Sequence, residues 1–67
     1  MRDPDRLDSI YEMMAKDHKE KFPDWRMTQL MSNFLGDYYG ENKRDPFFLE
    51  DDKFIKAWKD FVERVGA

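Results

Sequence analysis

Phe54, Ile55, Trp58, Phe61, Val62 and Val65 stand one, four, seven, eight and eleven places apart, counted from the first. That is the spacing of one helix face turning about 100° per residue. A strand would scatter the same six side chains over both of its faces. Glu50, Asp51 and Asp52 stand just ahead of the run, where the positive end of a helix dipole favours carboxylates, and Lys59 and Arg64 lie toward its other end, with Gly66 closing it. The chain must therefore supply other elements to cover a wide aromatic stripe.

Two more helices are available. Leu7, Ile10, Tyr11, Met14, His18 and Phe22 repeat at three and four, which predicts a helix running to about Lys21. Asp3-Pro4-Asp5 reads as its start, with Asp3 as cap and Pro4 at the first helical position. Asp8, Glu12, Lys16, Lys19 and Glu20 form its solvated side. Pro23 stops it, because the residue before a proline is pushed out of the helical region. Asp24 then reads as the cap of a second helix beginning at Trp25. On that helix Met27, Leu30, Met31, Phe34, Leu35 and Tyr38 fill one stripe, and Arg26, Gln29, Asn33 and Asp37 gather on another. Gly36 and Gly40 are both candidate ends for it, and the tyrosines between them favour Gly40 at the left-handed position. Glu41 to Arg44 reads as a loop, and Asp45-Pro46 as the start of a single turn through Phe47 and Phe48, with a lid-like role.

The expected fold is all-α: a single domain over residues 1–67, a small three-helix bundle with a short extra helical turn before the third helix. Its expected core joins Tyr11, Met14, Met27, Leu30, Phe34, Phe54, Trp58 and Phe61. Met, Phe, Tyr and Trp supply sixteen side chains of the 67-residue chain, against eight from Leu, Ile and Val, so the core is aromatic and thioether. Such side chains also repack readily at interfaces, which leaves monomer and homodimer both open. No apolar stretch approaches the ~18 to 20 residues that span a bilayer, so no membrane role is expected and the cytoplasm is the expected location.

Several chemistries are set aside. The chain has no cysteine, which removes disulfides, thiolate zinc sites and a cysteine nucleophile. His18 is the only histidine and lies on an apolar face; Ser32 and Thr28 belong to no nucleophile motif, so no catalytic residue and no cofactor are expected. The Glu50-Asp51-Asp52 cluster lacks the glycine and alternate-oxygen spacing of a calcium loop, and no metal site is expected. A helix-turn-helix is disfavoured by the net charge of −3 and by Arg26 being the lone basic residue expected on the second helix. The lysine edges of helices one and three, Lys16, Lys19 and Lys21 with Lys53, Lys56 and Lys59, keep a nucleic-acid-associated regulator as the alternative function.

Trp25, Arg26, Gln29 and Asn33 are what remains, with forked hydrogen-bonding ends on one helix face. Two readings stay open. In one, Arg26 holds Glu50 or Asp51, with Arg44 as the other possible cation, while Asn33 bonds the Asp45 turn, and at least two of Phe47, Phe48 and Leu49 turn inward. In the other, the four residues form a recognition surface for another protein, with Trp25 as anchor and Gly36 admitting close approach. The expected function is then a non-enzymatic interaction or regulatory module.

The pattern Pro23-Asp24-x-Arg26-x-x-Gln29-Leu30-x-x-Asn33, followed by Asp45-Pro46-Phe47-Phe48-x-Glu50-Asp51, resembles a family of short uncharacterised proteins of Gram-positive bacteria and their phages. The similarity covers about residues 6 to 58. It implies an all-helical fold and a phage or prophage setting, and it carries no activity with it. The chain departs from the pattern in its longer Tyr38 to Arg44 stretch, and in Trp25 where a smaller aliphatic residue is commoner.

Overall fold

A computed structural model describes residues 2–66. The fold is all-α, with α1 over Arg6–Lys21, α2 over Met27–Asn42, a 3-10 turn over Pro46–Phe48 and α3 over Asp51–Val65. No strand occurs among the described residues.

Local chemistry explains where the helices begin and end. Asp3 Oδ1 accepts from the Asp5 amide at 3.0 Å, and the amides of Arg6, Leu7 and Asp8 each reach back three residues at 3.2 Å. The Asp3-Pro4-Asp5 signal therefore builds a tight lead-in turn, and Asp5 rather than Asp3 occupies the cap position of α1. α1 ends where expected, with the Phe22 amide donating to the His18 carbonyl ahead of Pro23.

Both ends of α2 differ from expectation. Trp25 stacks on Phe22 with ring centroids 4.4 Å apart, and its carbonyl accepts from His18 Nε2 at 2.7 Å. Those two ties hold Trp25 in the connecting turn, so Arg26 caps the helix in place of Asp24. His18 is thereby a structural histidine whose Nε2 carries the proton, since a carbonyl can only accept. At the other end α2 runs through Gly40, and Lys43 takes the left-handed conformation, φ 55°. Asn42 Nδ2 donates to the Tyr38 carbonyl at 3.0 Å, a side-chain tie back onto the last turn. The Asp45-Pro46 signal performs as read: Asp45 Oδ1 accepts from the Phe47 amide at 3.0 Å.

α3 packs against both α1 and α2, as its aromatic stripe demands. Phe22, Leu30, Phe34, Trp58, Phe61 and Val62 form one buried cluster, with Met14 and Phe54 packed at its margin. Phe34 sits edge-on to Phe54 and Phe61, at 5.4 and 5.5 Å between centroids. Trp58 is sealed completely, and its indole Nε1 donates to Asp17 Oδ2 at 2.8 Å. Two expected core members are missing from this cluster, since Tyr11 and Met27 are exposed. α1 and α2 each lean on α3 and leave an open apolar groove between themselves, with Tyr11 and Met27 along it. At the far end of α3, Gly66 fits where a Cβ would stand 2.7 Å from the Val62 carbonyl oxygen and 3.1 Å from Lys21 Cβ. Only a residue without a side chain closes that corner unshifted.

Candidate functional site

An α-helix divides into four rows of residues spaced by four, and on α2 each row has its own chemistry. Leu30, Phe34 and Tyr38 form the row that turns toward α3, the first two fully buried. Met27, Met31, Leu35 and Tyr39 form the next row, a ridge of large apolar side chains. The core takes little of it: Met27, Leu35 and Tyr39 keep 60, 40 and 58 % of their surface in water. Beside the ridge runs a row of small residues, Thr28, Ser32, Gly36 and Gly40, all exposed. A Cβ placed on either glycine would meet no atom within 4 Å. The last row, Gln29, Asn33, Asp37 and Glu41, is polar.

The single apolar stripe expected on α2 is thus two rows with different fates. Helical periodicity gives the width of an apolar face but not the direction from which neighbours arrive. Burying the Leu30 row against α3 leaves the Met27 row turned away. The signal for an outward face was nevertheless present, because the Met27 and Thr28 rows hold no charged residue in a chain that is 40% Asp, Glu, Lys and Arg.

Of the four expected site residues, the structure exposes Arg26, Gln29 and Asn33 and brings them to one side of α2, beyond the small row. Trp25 does not stand with them as an exposed anchor. It is half-buried, stacked on Phe22 and packed against the core. The expected tie between Arg26 and the acidic segment is overturned: Glu50 pairs with Arg2 at 2.6 Å, and Asp51 pairs with Arg6 Nε. The segment leading into α1 and its first turn lie across the start of α3, so Arg2 and Arg6 reach those carboxylates first. Among the described residues Arg26 and Arg44 enter no ion pair, and Asn33 makes no side-chain hydrogen bond to the Asp45 turn.

Phe47 and Phe48 depart further from expectation. They stack edge-to-face on one another at 5.0 Å and remain 82 and 76 % exposed, while Leu49 is half-buried. The 3-10 turn that holds them packs against α2, with the phenyl rings outward.

Two concavities flank α2. One, about 420 Å³, lies between α1 and the first half of α2, and its walls are almost wholly apolar: Tyr11, Met14, Ala15, Met27 and Met31, with His18 at one side. The other, about 890 Å³, opens between the second half of α2, the 3-10 turn and α3, and mixes cations with carboxylates. Arg64 stands there with its guanidinium on both oxygens of Asp37, at 2.7 and 3.2 Å, and on Asp60 at 2.9 Å. Hydrogen bonding to Asp37 first, and then to Asp60, holds its proton more firmly than usual. The six lysines of the two expected edges all face solvent. No cluster of three His, Asp or Glu side chains suited to a metal ion occurs among the described residues, and no helix there is long and apolar enough to cross a membrane. Comparison with protein-family models, curated proteins and solved structures gives no match.

Proposed function

We propose that this chain is a non-enzymatic protein-interaction module of the cytoplasm that docks through the outward half of α2. The observation behind the reading is the exposed ridge of Met27, Leu35 and Tyr39 beside an uncharged small row, with the apolar groove adjoining it. Surfaces that stay free in water seldom keep large apolar residues contiguous. The centres of protein interfaces, by contrast, are enriched in Met, Tyr and Arg and poor in other charges. Arg26, Gln29 and Asn33 supply the hydrogen-bonding rim, a narrower role than that of a complete site. The motif resemblance supports a bacterial or phage setting for such a module.

Affinity capture from a lysate of the source organism tests the reading with two double variants. Leu35→Lys with Tyr39→Lys should reduce recovery of the partner at least ~10-fold, the effect of ~1.4 kcal/mol. Arg26→Ala with Gln29→Ala should reduce it less, as rim residues do. Equal recovery by the wild type and the Leu35/Tyr39 variant would remove the site.

A further inference from the structure

We infer that the α1–α2 layer of the chain takes the same layer of a second copy, groove against groove, with α1 on α1 and α2 on α2 and each pair antiparallel. The inference rests on the docking reading above and names its occupant. α3 closes one side of the α1–α2 pair, and the opposite side is left open. Tyr11 from α1 and Met27, Leu35 and Tyr39 from α2 lie exposed on that open side.

The seam of α2 sets the register. Thr28, Ser32, Leu35 and Tyr39 are spaced four, three and four apart, the repeat that keeps one face of a helix on a partner helix. Along it two small side chains precede two large ones, and none is charged. In a parallel pair each residue would meet its own copy, leaving a gap between the serines and crowding the tyrosines. Reversing one copy about a two-fold axis midway between Ser32 and Leu35 sets Leu35 level with Ser32 and Tyr39 level with Thr28. Every layer then holds one large and one small side chain.

Charge on α1 selects the same axis independently. A two-fold axis across the helices reverses each of them end for end but keeps each flank on its own side, so the edge of α1 remote from α2 meets the same edge of the other copy. Glu12 and, two turns on, Lys19 stand on that edge, both exposed and neither in an ion pair among the described residues. An axis midway between them, next to the small Ala15, places Glu12 of each copy beside Lys19 of the other. Parallel pairing would set glutamate on glutamate and lysine on lysine. α1 ends at Lys21 and α2 begins at Met27, so both midpoints lie about six residues from the connection and stand level with each other. One axis therefore serves both seams.

The area suits a modest, reversible dimer. At about 200 Å² for each large side chain, the exposed parts of Tyr11, Met27, Leu35 and Tyr39 come to roughly 450 Å² per copy. Ala15, Thr28, Ser32 and Gly36, exposed on the same layer, add to this toward the ~600 Å² per partner at the lower end of specific interfaces.

Sedimentation equilibrium of the full chain at low salt, from about 10 µM to about 1 mM, reads the outcome. The wild type should show a reversible monomer–dimer equilibrium. Glu12→Lys and Lys19→Glu each place two like-charged pairs across the axis, and each should weaken dimerisation about tenfold, less as salt is added. Mixed in equal amounts, the two variants should form a heterodimer tighter than either homodimer, because both contacts again join opposite charges. Ser32→Arg should weaken dimerisation at least ~10-fold by filling the place of Leu35 from the other copy. All three positions are solvent-exposed, and unchanged helical circular dichroism verifies the fold. In a half-labelled wild-type sample the Tyr39 ring should give a nuclear Overhauser contact to the Thr28 methyl group, which lies about 16 Å away along its own helix and is reached only between copies. A wild type that stays monomeric throughout, a mixture no tighter than its parts, a Ser32→Arg protein that pairs like the wild type, or a missing Tyr39–Thr28 contact would each overturn the inference. Monomeric behaviour would leave the docking reading to the capture experiment, which fails only if the Leu35/Tyr39 variant keeps its partner.

Discussion

Arg26 is the residue at which charge and position disagree most plainly. It caps α2, where the free amides of the first turn make a positive end, and no carboxylate among the described residues pairs with it. Arg26→Glu should therefore raise the stability of the monomer by about 0.3 to 1 kcal/mol in urea unfolding at low salt, with the gain shrinking as salt is added. Asp17 gives the opposite case. Its carboxylate is the acceptor for the sealed Trp58 indole, and Asp17→Ala leaves that donor unpaired inside the core. The expected loss is about 1.5 to 3 kcal/mol, and Asp17→Asn, which keeps a carbonyl acceptor, should lose less. Neither role was legible beforehand. Asp17 stands among charged residues on α1 with nothing in its spacing to mark it, and the arginines that take Glu50 and Asp51 lie more than forty residues away in the chain.

Among the elements, those fixed by local chemistry were the easiest to foresee. Pro23 ends α1, Asp45-Pro46 starts the 3-10 turn, and the carboxylates ahead of α3 with the aromatic repeat within it define the third helix. α2 departs from its sequence pattern at both ends because tertiary ties to Phe22 and His18 displace its start, and because Lys43 accepts the left-handed position that glycine usually fills. Gly36 and Gly40 are left inside the helix, where glycine is about 0.8 to 1 kcal/mol less favourable than alanine. With open space around both, Gly36→Ala and Gly40→Ala should each raise the melting temperature of dilute protein, by about 4 to 8 °C per kcal/mol gained for a domain of this size. If either substitution lowers it, the helix interior at that point is under a constraint that the space around its Cβ does not reveal.

The whole molecule is a slab of 36 × 27 × 19 Å, with a radius of gyration of 12.0 Å where about 11 Å is usual for this length. Three helices of about four turns cannot enclose all of the apolar side chains the chain carries, so the core closes around α3 and the surplus stays on the outer rows of α2 and on the 3-10 turn. The same geometry separates the two tryptophans optically. Trp58 is shut away from water and Trp25 is only half-covered at the connection between α1 and α2. In a Trp25→Phe protein the remaining emission should be blue-shifted and nearly deaf to acrylamide until the whole domain unfolds. In a Trp58→Phe protein, emission from Trp25 should be quenched in native buffer and should begin to shift at lower urea concentration. Identical quenching in the two proteins would mean that the connection opens no more readily than the core. Two indoles, one sealed and one at a joint, give this domain its own pair of lamps for watching which part loosens first.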